Sequence, residues 1–264
     1  MLDVKQVAIE LWPLDESKLA KCKGSHIVCL KCPVCFYTKN NYALIKTPKQ
    51  RKDIAQYIDH TLLKPEAKTV EIVRLCQEAR LYEFASVCVN PYYISLAKKE
   101  MDKRTVCSVV GFPLGANVTH AKLEECKKAL ADGATEIDMV INIGELKDKG
   151  YNYIFSEIEE IAEICHYNNA LLKVIIETCV LSDEEKVIAC LLAKKAGADF
   201  VKTSTGFARF GATIKDVTLM REVVGNYMGV KAAGGIRDWQ KAKEMISAGA
   251  NRIGVSASLQ IIGG

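Results

Sequence analysis

From about Arg51 onward, short apolar runs rich in valine and isoleucine alternate with longer segments whose apolar residues recur at helical spacing. The short runs predict eight strands, over residues 57–63, 85–90, 105–112, 135–143, 171–178, 199–204, 229–233 and 252–256. Between them the spacing predicts helices. One covers 66–81, with Val70, Val73, Leu75 and Ala79 as its apolar positions. Another covers 182–196, with Val187, Ile188, Leu191 and Leu192 on one face; Ser182 and Glu185 stand at the spacing of a capping box at its start. A short repeat marks the helix-to-strand joints. Gly133 follows Asp132, Gly197 follows Ala196 and Gly249 follows Ala248, and each precedes an alanine just before a strand, where a left-handed residue can end a helix. Strands alternating with helices imply parallel βαβ units. The fold class expected is α/β, an eight-stranded parallel β/α (TIM) barrel with an N-terminal extension; an open doubly wound sheet is the alternative. No G-x-G-x-x-G follows the first strand, which weakens a dinucleotide-binding reading.

Three predicted strands carry charge where a buried strand should be apolar: Asp138 in the fourth, Lys202 in the sixth and Lys231 in the seventh. Side chains alternate faces along a strand. If Ile137, Met139 and Ile141 face the helices, then Asp138, Val140 and Asn142 face the barrel axis. Phe200 and Lys202 share one face, and Val230 outward turns Lys231 inward. Isolated buried charges are too costly to keep, so such groups pair or shift in pKa. A neighbouring cation and burial both favour the neutral form of a lysine, and a neutral amine attacks carbonyls. The iminium so formed is an electron sink that permits cleavage of a nearby carbon–carbon bond, with the aspartate and second lysine placed for proton transfer. The alternatives are that these residues form structural ion pairs, or that the parity is shifted by one and they face solvent. Lys173 and Glu177 share a parity on the fifth strand and are expected either to extend a polar interior or to pair structurally.

A second constellation is glycine-rich. Gly234 and Gly235 close the seventh strand, Gly254 and Ser256 lie on the eighth, and Gly206 follows the sixth. Barrels commonly bind phosphate with loops after strands seven and eight, where bare backbone N–H groups face the anion. Arg209 and Arg237 are read as solvated surface charges. His60 is expected to face away from Asp59 and Thr61, His120 to sit at a helix start and His166 to follow a helix.

The segments Ile58-Asp-His-Thr-Leu-Leu-Lys-Pro65, Val110-Gly-Phe-Pro-Leu-Gly115, Glu136-Ile-Asp-Met-Val140, Lys173-Val-Ile-Ile-Glu-Thr178, Phe200-Val-Lys-Thr-Ser-Thr-Gly-Phe207 and Val230-Lys-Ala-Ala-Gly-Gly-Ile-Arg237 resemble the deoxyribose-phosphate aldolase family, in order, from about residue 53 to 258. The resemblance implies a class I aldolase barrel that reversibly cleaves 2-deoxy-D-ribose 5-phosphate to acetaldehyde and D-glyceraldehyde 3-phosphate, in deoxyribonucleotide catabolism, with no cofactor and no metal. It implies Lys202 as the Schiff-base lysine, Lys231 as the lysine that perturbs it, and Asp138 in the proton relay. It puts substrate binding, chiefly of the phosphate, on Gly206, Gly234, Gly235, Gly254 and Ser256, with Asp59 and Thr61 lining the cavity. Alternatives are another Schiff-base barrel lyase acting on a different sugar phosphate, or a non-catalytic barrel with a metal-binding N-terminal segment. Three departures stand out: Ala208-Arg209-Phe210 replaces further glycine after Gly206, Ala257 stands where a second serine is usual, and the last helix must be short or missing.

Length and composition fit this reading. The chain has 264 residues, which a single β/α barrel can fill, and 49% of them are hydrophobic, enough for a large core. The net charge of +4 suits a small anionic substrate and is too diffuse to argue for nucleic acid. No apolar run approaches the roughly 18 residues of a membrane span, and the N-terminus lacks the apolar core of a signal peptide. Singly scattered cysteines such as Cys88, Cys107 and Cys179 read as free thiols of a reducing compartment, which implies a cytoplasmic location. The expected partner is a small sugar phosphate, and a homo-oligomer, dimer or tetramer, is expected. Two regions are expected: a cysteine-containing extension over 1–50 and the aldolase barrel over 51–264. In the extension Cys22, Cys29, Cys32 and Cys35, with His26, offer thiolates, but the spacing lacks a second distant Cys-x-x-Cys pair. A thiol-rich extension is the preferred reading over a metal site.

Overall fold

Gly133, Gly197 and Gly249 have φ of 107°, 86° and 116°, so each of the three repeated turns uses the backbone freedom that only glycine supplies cheaply. The computed structural model describes residues 47–226 and 228–263. The four N-terminal cysteines and His26 lie outside these residues. Eight parallel strands run as β1 (Ile58–Leu62), β2 (Ser86–Val89), β3 (Val106–Val110), β4 (Glu136–Val140), β5 (Leu171–Ile175), β6 (Phe200–Lys202), β7 (Gly229–Ala233) and β8 (Arg252–Val255). Each pairs with the next, and β1 pairs with β8 through Asp59 and Gly254, so the sheet closes into a barrel. Closure removes the open doubly wound sheet from consideration.

The helices are α1 (Thr69–Leu81), α2 (Ile94–Met101), α3 (Thr119–Ala131), α4 (Ile143–Lys147), α5 (Tyr151–Tyr167), α6 (Asp183–Lys195), α7 (Ile214–Val224), α8 (Trp239–Ser247) and α9 (Ser258–Ile262). A 3-10 turn, Arg51–Tyr57, leads into β1 and buries Ile54. Helix α6 begins as the capping box requires: Glu185 N–H donates to Ser182 Oγ at 3.2 Å, and Ser182 N–H donates to Glu185 Oε2 at 2.7 Å. Ser182→Ala should therefore lower stability by about 1 kcal/mol, read from urea unfolding; an unchanged midpoint would contradict that role. No helix among the described residues is long and apolar enough to cross a membrane.

Three sequence expectations shift. The buried stripe of α1 is Ile72, Leu75, Cys76 and Ala79, whereas Val70 is exposed, because at about 100° per residue Val70 falls opposite Ile72. Every strand but β7 ends earlier than its apolar run. Asn142 does not face the axis; its Oδ1 accepts from Glu145 N–H and caps α4. Glu177, at φ 55°, breaks away from β5. His166 lies in the last turn of α5 rather than after it.

The core has two parts. The larger, built from Val87, Ile137, Met139, Val174, Val201, Val230 and Ile253 with the inner faces of the helices, lies between barrel and helices. A small one, Leu63, Cys88, Cys107 and Val109 with Phe112, lies inside the barrel. The rest of the barrel interior holds the charged residues Asp59, Glu136, Asp138, Lys173, Lys202, Lys231 and Arg252 among apolar side chains such as Val140, Ile175 and Phe200.

Candidate active site

Strand parity aims the charges inward as the alternation predicts. In register, Lys202 stands beside Lys231, and Asp138 beside Lys173. In-register neighbours on parallel strands share a face, so four strands direct long polar side chains to one axis. Asp138 is the hub. Its Oδ2 accepts from Lys202 Nζ and Lys231 Nζ, each at 2.7 Å, and its Oδ1 from Lys173 Nζ at 2.9 Å. Cys107 Sγ–H also donates to Oδ1, at 3.1 Å.

A second layer holds the first in place. Lys231 Nζ pairs with Asp59 Oδ2 at 2.5 Å, and Lys173 Nζ with Glu136 Oε2 at 2.5 Å. Arg252 bridges the two carboxylates, at 2.5 Å to Asp59 and 3.1 Å to Glu136, and stacks on Phe200. Ser86 Oγ–H donates to Asp59 at 2.7 Å. Small residues make room for these groups. A Cβ on Gly254 would come within 3.0 Å of Lys231 Cε, and one on Gly229 would enter the Phe200 ring.

Burial alone would raise the pKa of Asp138, but Lys173, Lys202 and Lys231 overcome it and hold the carboxyl well below its ordinary value. Burial likewise opposes ionisation of Asp59, and Arg252 and Lys231 reverse it. Burial disfavours the ammonium of Lys231, yet Asp138 and Asp59 hold it above the ordinary lysine value; Asp138 and Glu136 do the same for Lys173. Lys202 differs from both: it has one carboxylate partner where they have two. Among the described side chains of this interior, the cations Lys173, Lys202, Lys231 and Arg252 face the anions Asp59, Glu136 and Asp138. One positive charge is in excess, and loss of one proton balances it.

Linkage sets the acid limit of the fold. The folded pKa values of Asp59 and Asp138 lie below the unfolded value of about 3.9, so their contribution is complete well above that pH and is lost as pH falls through it towards the folded values. Urea midpoints should hold from pH 7 to 5 and drop between pH 4 and 3. A midpoint unchanged at pH 3 would contradict the ion-pair geometry.

The glycine-rich turns gather at the C-terminal ends of β6 and β7. Gly206 and Gly234 take φ of 86° and 84°, and Gly235 takes 75°. A Cβ on Gly234 would lie 3.0 Å from Gly211 Cα and 3.5 Å from Gly206 Cα, so the turns approach through bare backbone. Beneath them Ser204 Oγ is buried and has no hydrogen-bond partner among the described residues. Gly235 is exposed with open space beside it, and Ser256 is exposed past the end of β8. Gly254 instead sits within β8, where its missing side chain accommodates Lys231. Thr61 is half-buried and donates to the Asp59 carbonyl at 2.7 Å. Glu177 stays out of the interior network: it accepts from Thr205 N–H at 3.1 Å and from the Thr205 hydroxyl, bracing the turn after β6. His60 points outward, between Glu78 at 2.7 Å and Ser258 at 2.8 Å.

Sequence reasoning missed Arg252, Glu136, Ser86, Cys107 and Gly211. The first two share the inward parity of Gly254 and Asp138 and could have been found by extending the alternation to strand ends. Ser86 and Cys107 read as ordinary small core residues. Gly211 gave no signal, because its role is an approach to Gly234 across the mouth.

A model of the DeoC/LacD family aldolases matches residues 54–262. A deoxyribose-phosphate aldolase from Thermococcus gammatolerans is 58% identical over 216 residues, 80% of this chain and 96% of the relative. One from Clostridium tetani is 58% identical over 212 residues, 80% of this chain and 98% of the relative. Among solved structures, the tetrameric structure of deoxyribose phosphate aldolase from Aeropyrum pernix is similar, with a TM-score of 0.77 and 32% identity, over 82% of this chain and 92% of that one.

Proposed function

Because the chain belongs to the DeoC/LacD family of aldolases, we propose that it cleaves 2-deoxy-D-ribose 5-phosphate reversibly to acetaldehyde and D-glyceraldehyde 3-phosphate, through a Schiff base on Lys202. It is a class I aldolase, a carbon–carbon lyase. The observation that carries the residue assignment is the sharing of Asp138 Oδ2 by Lys202 and Lys231, at 2.7 Å each. Lys231 and Lys173 are held as ammonium ions by paired carboxylates, and Lys202 is the interior amine with the fewest.

The chemistry runs as follows. Lys202 Nζ, without its proton, attacks the open-chain aldehyde carbon, and loss of water gives an iminium ion. A base removes the proton of the hydroxyl on the third carbon. The bond between the second and third carbons breaks, its electrons move into the iminium, and glyceraldehyde 3-phosphate leaves. The remaining enamine takes a proton on carbon, and water hydrolyses the imine to release acetaldehyde and restore the amine. Asp138 Oδ2 touches the Nζ atoms of both Lys202 and Lys231, so a proton can pass between the lysines without a water chain. Asp59 keeps Lys231 protonated and oriented.

For the phosphate, the reading assigns the turns at Gly206, Gly234 and Gly235 with Ser256. Their bare backbone and the unpartnered Ser204 hydroxyl suit an anion. Gly254 contributes by making room for Lys231, and Thr61 by fixing the backbone of Asp59. We assign the barrel to residues 51–264 and treat 1–50 as a separate extension. A homo-oligomer fits the tetramer reported for the Aeropyrum pernix relative; light scattering in solution would decide its order. The buried free thiols Cys76, Cys88, Cys107, Cys126, Cys165 and Cys190 fit a reducing cytoplasm.

The test is to incubate the protein with deoxyribose 5-phosphate and borohydride, then map the adduct by mass spectrometry. An adduct on Lys202 is expected, and one on Lys173 or Lys231 instead would overturn the assignment. Lys231→Leu provides a second check. It removes the excess positive charge and leaves Asp59 with Arg252 and Asp138 with Lys173 and Lys202. Urea stability should change by no more than about 1–2 kcal/mol while turnover falls on the order of 100-fold or more. Unchanged turnover would remove Lys231 from the mechanism.

A further inference from the structure

The inner apolar cluster contains two thiols that the aldolase mechanism does not use. Cys88 on β2 and Cys107 on β3 are in-register neighbours with the same inward parity, and both are fully buried. Cys107 Sγ also meets Asp138 Oδ1 at 3.1 Å. The sulfur atoms of both cysteines and a carboxylate oxygen of Asp138 lie within 4.8 Å of one another. Two thiolates bound to one tetrahedral zinc ion, with Zn–S near 2.3 Å, stand about 3.8 Å apart. Small side-chain rotations therefore bring these donors into coordination range without moving the strands.

We propose that Cys88, Cys107 and Asp138 form an inhibitory site for a thiophilic divalent cation such as Zn2+, which binds in place of substrate chemistry and stops the aldolase. Softness selects the ion: two thiols and one carboxylate favour zinc-like metals over magnesium or calcium. The cationic surroundings do not forbid it. Each thiol gives up a proton on binding, so a divalent ion enters with no change in the formal charge of an interior already one positive charge in excess. Binding occupies Asp138 Oδ1, displacing Lys173 from it, and withdraws electron density from the carboxylate on which Lys202 and Lys231 depend. Leu63, Val109 and Phe112 wall the thiols from water, so few solvent ligands compete.

The inference shares its site with the aldolase reading, so the test has one arm that needs no activity. The full chain is used with Cys22, Cys29, Cys32 and Cys35 replaced by serine, which removes the N-terminal thiols, and with Cys126→Ala, which breaks the pair that Cys126 forms with Cys165 at 3.7 Å. Co2+ titration should then give the near-ultraviolet thiolate-to-cobalt charge-transfer band at one equivalent. Adding Cys88→Ser and Cys107→Val should abolish it. In the second arm, each variant's cleavage rate is measured against its own metal-free rate. Zn2+ should inhibit reversibly, with EDTA restoring the rate, and Cys88→Ser or Cys107→Val singly should raise the half-inhibitory concentration at least 10-fold. Magnesium at the same concentration should not inhibit. Absence of the cobalt band, or equal zinc sensitivity in the single variants, would overturn the proposal. A band without any aldolase activity would support the metal site and count against the aldolase reading.

Discussion

Replacing Lys202 by alanine is expected to abolish cleavage of deoxyribose 5-phosphate, lowering turnover by at least about 10³-fold, because loss of the nucleophile removes the covalent route itself. The borohydride-trapped adduct should vanish with it. Stability should move the other way or stay level. Lys202 is almost fully buried, and its one carboxylate, Asp138, keeps Lys173 at 2.9 Å and Lys231 at 2.7 Å after the change. With one cation gone the interior charges balance. An inactive but unfolded variant would thus not count in favour of the role, and circular dichroism with urea unfolding separates the two outcomes. A Lys202→Ala protein that still cleaves substrate at a tenth of the native rate would end the assignment.

Asp138→Asn should cost both activity and stability. The asparagine has nearly the same shape, so packing is kept and the change is one of charge. Lys173 retains Glu136, and Lys231 retains Asp59, but Lys202 loses its carboxylate, and four cations then face two anions. Leaving a buried charge without its partner typically costs about 3–5 kcal/mol. The expected result is a urea midpoint lowered accordingly, with turnover down by about 10³-fold as the shared proton acceptor disappears. The sign of its pH dependence is also defined. Raising the pH lets one lysine of the overcharged interior lose its proton, so the deficit relative to the native protein should narrow between pH 7 and 9. A deficit that is absent at pH 7, or that widens with pH, would mean that Asp138 is not the electrostatic hub. The contrast with Lys231→Leu makes the point sharper: both break ion pairs of Asp138, but only one of them brings the interior towards neutrality.

The strand–helix alternation, the glycines ending α3, α6 and α8, and the inward parity of Asp138, Lys202 and Lys231 were all legible in the chain. Local rules generate them: strand side chains alternate, helix ends need left-handed residues, and an unpaired charge in an apolar strand must find a partner. The same rules misjudged strand ends. Asn142 and Glu177 have the right parity, but the chain turns at the barrel mouth before they can face the axis. They also missed the outer layer of the network. Whether Arg252 on β8 reaches Asp59 on β1 and Glu136 on β4 depends on how far apart those strands lie around a closed ring, and no periodicity carries that distance.

Sequence alone determined the shared inward parity of Asp138, Lys202 and Lys231, because that depends only on neighbours a few positions away. Tertiary structure alone decided that the sheet closes, that one carboxylate oxygen serves two lysines, that Cys107 touches the same aspartate, and that Gly211 packs on Gly234. Those contacts join residues tens to nearly two hundred positions apart, and their geometry is set by barrel closure, which no local stretch of chain encodes.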